Sequence, residues 1–240
     1  MKKVFLMAVA SAALLFAQGA KAQTNFQTFY DFGRKHFTTT LEGFHQDNWG
    51  NTFFFIDYDY NNRDGNVVVS PNNTYFEIAR CLNFWQDSAL APLSLQVEYN
   101  GGFGTWGNLS GAPGLEYGAF PVNSAFLVGV DWFLHSADFS NTLNLKLLYK
   151  QFVKMASNVP LQFTAVWGCQ DLFGLSGLRV SGFVDVWCEG NKAVVLSEPQ
   201  LWFNCGTEHF NIGGEVELSY NFAGMQGFHC LPCLGTKWVF

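Results

Sequence analysis

The sequence predicts an all-β fold, an antiparallel transmembrane β-barrel of about 12 strands that follows a cleaved N-terminal signal peptide. Three observations support this prediction. Apolar and polar residues alternate along many short segments, aromatic residues make up 18% of the chain while charged residues make up only 13%, and the chain ends on the aromatic residue Phe240. Soluble domains carry about 25% charged residues, so this composition favours a surface that contacts lipid.

The N-terminus has the layout of an export signal. Two lysines precede an apolar run from Val4 to Phe16, and Ala20-Lys21-Ala22 places small residues where a signal peptidase reads them. This pattern predicts a signal peptide over residues 1–22 and one barrel domain over residues 23–240. No later segment supplies the roughly 20 apolar residues that a membrane-spanning helix needs, so strands are expected to make any crossing.

The charge balance excludes nucleic acid as a partner. Taking the three lysines of the signal from the 13 basic residues leaves 10 against 19 acidic ones, a formal charge of −9. Nucleic-acid binding requires clustered Lys and Arg. The sequence also contains no metal, nucleotide or heme motif, so no cofactor is expected.

Alternation with a period of two defines the expected strands. In Leu93 to Asn100, for example, apolar residues at odd positions alternate with polar residues at even ones. Segments of this kind predict strands at 25–32, 36–46, 51–60, 73–84, 93–100, 123–135, 142–152, 159–168, 177–188, 193–204, 209–222 and 232–240. Their even number suits a single-chain barrel with both termini on the periplasmic side.

The connections between strands are expected to differ in length on the two sides of the membrane. Long outer loops are predicted at Asn61 to Asn72, Gly101 to Tyr117 and Ala223 to Leu231, and shorter periplasmic turns such as Asp47 to Gly50. Aromatic residues near strand ends would form the interfacial girdles: Tyr30, Tyr60, Trp132, Tyr149, Trp167, Tyr220 and Trp238. A secreted soluble β-sandwich or a lipocalin-like barrel shares the alternation and stays open as an alternative, with the apolar face turned inward.

If the apolar positions face lipid, the opposite parity lines a lumen. The candidate lumen and solute-binding residues are Asp31, Glu42, Phe53, Phe55, Asp57, Asp59, Glu77, Glu98, Phe183, Asp185, Trp187, Glu198, Trp202, Glu215 and Glu217. Asp131, Lys146, Lys150, Arg179 and Lys237 share that parity. Aromatic faces among hydrogen-bonding groups suit a flat, polar, uncharged ligand such as a nucleoside. The alternative is that these charges only pair across strands and fill the interior.

Two features depart from the simple pattern. Arg80 shares parity with residues on the lipid face, so it is expected either near a rim or beside a bulge that shifts the register. Six cysteines include the pair in Cys230-Leu231-Pro232-Cys233, whose spacing fits a redox or metal site, a local disulfide or free thiols.

Several stretches resemble a known family. They include Tyr30-Asp31-Phe32-Gly33, Asp47-Asn48-Trp49-Gly50, Glu98-Tyr99-Asn100-Gly101-Gly102, Ser181 to Trp187 and Leu196-Ser197-Glu198-Pro199-Gln200. The chain resembles the domain of unknown function 5020 family of outer-membrane β-barrels, which is similar to the Tsx-like nucleoside-specific channels. The resemblance covers nearly the whole mature chain and implies a location in the bacterial outer membrane.

The sequence therefore predicts a non-enzymatic channel for passive uptake of small polar solutes, with nucleosides as the candidate. Outer-membrane lipid, the barrel-assembly machinery and the solute are the expected partners. A partner-binding or structural barrel, with Gly101 to Tyr117 as an adhesive loop or a plug, is the main alternative. A lipid-modifying enzyme using His135 with Ser136, or His209 with Ser219, is a further one.

Overall fold

The computed structural model describes residues 22–63, 66–107, 117–207 and 209–240, almost entirely as strands. The predicted signal peptide lies outside these residues except for its last position, Ala22. The strands are β1 Ala22–Asp31, β2 His36–Asp47, β3 Gly50–Arg63, β4 Asn66–Leu82, β5 Leu93–Gly107, β6 Tyr117–Pro121, β7 Ala125–His135, β8 Asn141–Phe152, β9 Leu161–Cys169, β10 Leu178–Glu189, β11 Lys192–Ser197, β12 Gln200–Asn204, β13 Phe210–Tyr220 and β14 Phe228–Val239. A short 3-10 turn, Leu172–Gly174, lies between β9 and β10. No helix among the described residues is long and apolar enough to span a membrane.

The strands close into one antiparallel barrel. Strands that are neighbours in the sequence pair with each other, except β6 with β7 and β11 with β12. Strand β1 pairs with β14 from Asn25↔Val239 to Asp31↔Cys233, which joins the first strand to the last. Strands β11 and β12 share one place between β10 and β13, and β6 pairs only with β5, so 14 strands fill twelve positions. Closure leaves no free edge in the hydrocarbon, where each unpaired backbone group costs several kcal/mol. The predicted 12-stranded barrel is confirmed.

The main differences from the predicted strands lie at one end of the barrel. The segment Asn61 to Asn72, expected as a loop, instead lengthens β3 and β4, whose pairing reaches Arg63↔Asn66. Gly101 to Gly107 continues β5 and pairs with β4 and β6, and Phe228 to Leu231 belongs to β14. Glycines and asparagines suggested turns there, but pairing along both strands of a hairpin satisfies the backbone without a loop.

The two ends of the barrel are named by what they carry. The terminal rim holds Phe240 and the turns that follow β2, β4, β7, β9 and β12. The loop rim holds the connections that follow β1, β3, β8, β10 and β13. The predicted contrast in loop length is only partly present, because the β4–β5 connection at the terminal rim spans residues 83–92. The rest of the proposed adhesive or plugging loop, residues 108–116, lies outside the described part of the chain.

A proline divides one strand of the barrel wall into two shorter ones. Glu198 and Pro199 separate β11 from β12 without a change of register, since Ser197 pairs with Leu218 and Gln200 with Glu215 on the same neighbour. Pro199 has no N–H to donate to the ladder. Opposite the break, a Cβ on Gly182 would lie 2.7 Å from the Glu198 carbonyl oxygen and 2.8 Å from the Pro199 Cα, so glycine is required there.

The outer surface is an apolar belt. Side chains that point outward are large, hydrophobic and well exposed: Phe26, Ile78, Leu95, Val97, Phe126, Val128, Trp132, Leu147, Phe163, Leu201, Ile212, Leu234 and Trp238. At the end of β14, Trp238 and the following residue Phe240 are exposed while Lys237 is not, as the alternation predicts. An apolar exterior on a closed barrel excludes the soluble sandwich and the inward-facing lipocalin arrangement.

Arg80 lies at the terminal rim rather than at a bulge. The β3–β4 register is regular around it, with Thr52 directly opposite, and the irregularity in this pair falls at Asp59 and Tyr60. Its guanidinium donates to the Asp47 carboxylate at 2.8 Å and to the Thr52 hydroxyl at 3.1 Å. A charge near the interface costs little compared with one at the midplane, so the belt tolerates it.

Candidate solute lumen

The 15 candidate residues all lie on the inner face of the barrel. Directly paired residues share a face, so the pairing can be followed from buried side chains: Glu42 pairs with Asn25, Asp57 with Thr40, and Glu98 with Ala79. Asp31, Trp187, Trp202 and Glu217 are themselves buried. Whether these residues bind a solute stays a prediction.

One group of carboxylates spans the lumen. Glu42, Asp57, Glu198, Glu215 and Glu217, called here the first carboxylate cluster, come from β2, β3, the β11–β12 break and β13. Glu198 interacts electrostatically with Glu215, Asp57 and Glu217. Five pairings separate β3 from β11 around the twelve-position wall, so side chains from nearly opposite walls converge.

Neutral donors satisfy part of this cluster. The Thr40 hydroxyl donates to Asp57 at 2.5 Å, the Asn25 amide to Glu42 at 2.8 Å, and the Gln200 amide to Glu215 at 2.9 Å. Hydrogen bonds from neutral donors stabilise a carboxylate but leave its charge uncompensated.

Arg34 is the cation that enters the cluster from the loop rim. It lies in the β1–β2 turn, donates to Asp31 at 3.0 Å, and donates to Glu217 through its second terminal nitrogen. Burial alone would lower the pKa of Arg34, but the hydrogen bond and charge of Glu217, with the charge of Asp31, outweigh burial and raise that pKa. The guanidinium is therefore a permanent positive charge at this rim.

A second carboxylate cluster, Glu77, Glu98 and Asp185, comes from β4, β5 and β10 and also bridges distant walls. The Tyr75 hydroxyl donates to Glu77 at 2.6 Å and the Asn100 amide donates to it at 2.9 Å.

Lys150 is a cation that faces the second cluster, and Lys146 also interacts with Asp185. Lys150 donates to Gln162 at 2.7 Å, and its Nζ lies 4.3 Å from the ring centroid of Trp187. Its charge is thus shared between the carboxylates and an aromatic face.

Aromatic rings lie between the two clusters on one wall. Phe53 and Phe55 have ring centroids 6.1 Å apart, and Phe55 and Tyr75 have centroids 5.9 Å apart. All three side chains are partly exposed. Tyr75 stands directly opposite Asp57 in the β3–β4 register, so this wall offers ring faces beside carboxylate oxygens.

Nearer the terminal rim, two aromatic rings pack against glycines. A Cβ on Gly213 would lie 2.8 Å from the Trp202 ring, and one on Gly235 would lie 2.6 Å from the Phe29 ring. Trp202 and Phe29 are each 2% exposed, with centroids 5.7 Å apart. Lys237 places its Nζ 4.4 Å from the Trp202 ring, so this part of the interior is aromatic with one cation.

An apolar core inside the barrel was not predicted. Near the loop rim the inward residues are hydrophobic and packed together: Ala125, Leu127, Leu148, Phe152, Trp187 and Val194. Met155 from the β8–β9 connection and Phe222 from the β13–β14 connection pack against them. The signal was present, since Leu148 stands between Lys146 and Lys150 on the polar side of its strand.

The Cys230 and Cys233 pair lies within β14 and not in a loop. Cys230 is exposed on the outer face, whereas Cys233 points inward beside Glu215 and Asp31. A local disulfide needs Cβ atoms about 4 Å apart, which opposite faces of a strand do not provide. All six cysteines are free thiols. Among the described residues no three or more His, Cys, Asp or Glu side chains are arranged to hold a metal ion.

The histidines considered for catalysis lie at the terminal rim. The His135 ring stacks on the Phe139 ring with centroids 3.9 Å apart. Its Nδ1 is hydrogen-bonded to the backbone carbonyl of Ser136 and not to the Ser136 hydroxyl. His209 stacks on Trp238. Ser219 lies buried near the other end of β13, about 30 Å away at the strand rise of about 3.3 Å per residue, so the His209 and Ser219 pair is not formed.

The closed barrel, the apolar belt and the polar interior define the class of this protein as a β-barrel of the bacterial outer membrane. The chain belongs to the family described as Domain of unknown function (DUF5020), whose model matches residues 22–240.

Among solved structures, the KdgM porin in complex with disordered oligogalacturonate is similar at a TM-score of 0.51 and 8% identity, covering 91% of this chain and 99% of that one. This likeness shows the fold. The Acinetobacter baumannii outer membrane protein Omp33 matches at a TM-score of 0.41 and 12% identity, covering 92% and 98%. OccAB3 from the same organism matches at a TM-score of 0.37 and 9% identity, covering 92% of this chain and 99% of that one. No curated protein matches the sequence.

Proposed function

We propose that this protein is an outer-membrane channel for passive uptake of small polar solutes, with nucleosides as the candidate substrates. One observation carries the proposal: carboxylates and aromatic rings line the inside of a barrel whose outside is apolar. Such an interior has no use in lipid contact, and buried charges are costly unless water, partners or solutes meet them. No catalytic step is part of the proposal.

The aromatic wall supplies the argument for nucleosides. A base can stack on the faces of Phe53, Phe55 or Tyr75, while the ribose hydroxyls can donate to Asp57. Stacking of a base on an aromatic side chain contributes about 1–3 kcal/mol. The wall is therefore matched to a ligand with one flat apolar face and several hydroxyl donors.

The charge of the lumen argues against acidic passengers. The similar porin structure contains oligogalacturonate, a chain of sugar acids with a carboxylate on each unit. Here the inner face carries two carboxylate clusters, and acidic side chains outnumber the cations beside them in the described part of the chain. A polyanion would be repelled, so neutral and cationic solutes are the proposed passengers.

A non-transporting barrel is the second candidate, and the inner apolar core favours it. Met155 and Phe222 pack on Trp187 and its neighbours near the loop rim, which narrows that end. In such a barrel the charges would only hold the walls together, and the function would belong to the long hairpins at the loop rim.

Two measurements separate these candidates. Refolded protein in planar bilayers should give discrete conductance steps, and liposomes that contain it should admit uridine faster than a sugar of similar size. The absence of both conductance and influx would overturn the channel. Equal influx of nucleoside and sugar would overturn the nucleoside preference alone.

Matched variants test the aromatic wall itself. Phe55→Ala should slow uridine influx several-fold, and Asp57→Asn should do the same, because each removes one half of the contact. Phe163→Ala is the control, since Phe163 is 44% exposed on the outer face. Equal slowing by all three variants would point to a loss of folded protein rather than to the wall.

The proposal implies further partners. The outward Trp238 and Phe240 would contact outer-membrane lipid, and the terminal aromatic strand would be read by the barrel-assembly machinery during insertion.

A further inference from the structure

Phe44 on β2 is an inward-facing aromatic ring that water reaches. It pairs directly with Phe53 of β3, whose partner on the other side is Ala79 of β4. Directly paired residues share a face, and Ala79 is 5% exposed, so all three side chains point into the barrel. Phe44 is nevertheless 41% exposed. Its exposed surface therefore faces the lumen and not the lipid belt.

This exposure distinguishes the terminal mouth, the opening of the barrel at the terminal rim, from the opposite end. Phe44 lies three residues before Asp47, where β2 ends. Near the loop rim, the inward residues Leu148 and Trp187 are 0% and 7% exposed. The hydrophobic interior is thus packed at the loop rim and open to water at the terminal mouth. An apolar ring left in water favours a flat partner that covers it.

Three side-chain amides lie beside this ring and are called here the rim amides. Gln23 of β1 pairs directly with Phe44, and Gln46 pairs with Asn51 in the inner row next to it toward the terminal rim. None of the three amides forms a side-chain hydrogen bond with the residues that the structure describes. Each therefore keeps two N–H donors and a carbonyl acceptor for water or a solute.

The inner positions around Phe44 carry no ionisable acid or base. Their two rows contain no Asp, Glu, Lys, Arg or His: Gln23, Phe44, Phe53 and Ala79 in one, Gln46, Asn51 and Cys81 in the other. The first charged row, with Glu42 and Glu77 on either side of Phe55, lies one row further inside, about 7 Å along the strand. Binding at the terminal mouth would thus depend on shape and hydrogen bonding rather than on charge.

Ring faces beside amides match one class of solute. A flat heteroaromatic ring can stack on an aromatic side chain, and Asn and Gln amides can hydrogen-bond the donor and acceptor groups on its edge. A sugar has no flat unsaturated face to stack, and a hydrocarbon leaves the amides without partners. The combination therefore fits a nucleobase better than either.

We propose that Phe44 and Phe53 form a stacking subsite at the terminal mouth for solutes that carry a heteroaromatic ring with N–H and C=O groups on its edge. The ring lies against Phe44, and its edge exchanges hydrogen bonds with the rim amides. A nucleoside bound in this way extends its ribose toward the row of Glu42. The subsite rests on the proposed function for its substrate class, and binding does not require that the solute crosses the barrel.

The first test separates the base from the sugar. Titration calorimetry on the folded full chain in detergent compares uracil, uridine and ribose as probes. We expect saturable binding of uracil and of uridine, and none of ribose. Failure of uracil to bind, or equal binding of uracil and ribose, would overturn the subsite.

Ring variants locate the binding. Phe44→Ala should weaken uracil binding about fivefold or more, because it removes the stacking face, whereas Phe44→Tyr keeps the ring and should bind as the unaltered protein does. Phe26→Ala is the matched control, since Phe26 on the neighbouring strand is 42% exposed but points outward. Equal binding by Phe44→Ala and Phe26→Ala would overturn the subsite.

A second variant tests the rim amides and leaves both rings in place. Gln46→Met combined with Asn51→Leu keeps similar side-chain volumes without the amides, and it should weaken uracil binding several-fold because the base loses hydrogen-bond partners. Unchanged uracil binding in this double variant would overturn the role of the amides.

Uridine influx into liposomes separates the subsite from the channel. Uracil binding that Phe44→Ala weakens, without any uridine influx, would sink the channel and leave the subsite. Uridine influx without uracil binding would remove the subsite and leave the channel.

Discussion

Arg34 in the β1–β2 turn donates to Glu217 of β13 across 183 residues of sequence. The contact ties a turn at the loop rim to the inner wall, and the neighbouring strand β14 lies between the two elements. Asp31 fixes the turn that presents Arg34, because its Oδ1 accepts from the backbone N–H groups of Gly33 at 2.7 Å and Arg34 at 2.8 Å. Arg34 thus ties the β1–β2 turn to the buried carboxylate of Glu217, and this set of contacts among Asp31, Arg34 and Glu217 is called here the latch.

We predict that Arg34→Gln makes the lumen more selective for cations. The change removes the positive charge that enters the first carboxylate cluster and leaves Glu217 unpaired. The ratio of K⁺ to Cl⁻ permeability, measured from the reversal potential in a KCl gradient, should rise. Stability should fall by about 1–2 kcal/mol, because the side chain is partly exposed and solvent screens the pair.

Arg34→Lys is the control for this prediction. It keeps the charge but loses the fork between Asp31 and Glu217, so selectivity should stay near that of the unaltered protein while stability falls slightly. An unchanged permeability ratio in Arg34→Gln would show that the latch lies outside the conducting path.

Alternation alone predicted the wall of this barrel. Strands with one polar side, such as β5 and β13, fixed both the number of barrel positions and the inward placement of Glu98 and Glu217. The reason is physical: a period of two in a lipid-facing strand separates two different solvents. Arg80 departs from the pattern because it lies at the rim, which is neither the hydrocarbon outside the barrel nor its polar interior.

The interior could not be predicted from the same rule. Leu127, Leu148 and Val194 lie inside although they are apolar, since a narrow lumen is partly a packed core. The latch formed by Arg34 was also missed, because a turn residue has no strand parity. The Pro199 break and the lengthened β3–β4 hairpin depend on pairing partners that local sequence does not specify.

The apolar core near the loop rim is predicted to limit conductance. Met155→Ala and Phe222→Ala each shorten a side chain that comes from a connection and packs against the inner core. Single-channel conductance should increase in both, and more in the double variant. Phe228→Ala is the control, because Phe228 is 68% exposed on the outside. Equal conductance in all of these proteins would place the narrowest part elsewhere.

Cys230 and Cys233 are predicted not to form a disulfide with each other. Cys230 faces outward and Cys233 inward, and a bridge would require the strand to unpair. Mass spectrometry of the folded, alkylated protein under non-reducing conditions should recover both as separate modified thiols. A peptide that contains both residues, with neither of them alkylated and with the mass of an internal disulfide, would show that this end of β14 is not paired as described.

The effect of an arginine on stability is predicted to depend on its depth in the membrane, which Arg80 and a substituted Leu147 can test. Arg80→Leu should change stability by less than about 1 kcal/mol, because the ion pair with Asp47 lies at the rim, where exposed pairs contribute little. Leu147→Arg should cost about 2–4 kcal/mol, since Leu147 is 53% exposed on the outer face at the middle of β8. Equilibrium unfolding in urea from lipid vesicles measures both changes.

The comparison of the two variants is sharper than either value. Leu147→Gln separates charge from lost hydrophobic contact, because it removes the apolar side chain without adding a cation, and it should fall between the other two variants in stability. If Leu147→Arg proved as stable as Arg80→Leu, the middle of β8 would not be in hydrocarbon. The lipid belt would then have to lie elsewhere along the barrel, with the terminal rim no longer at its edge.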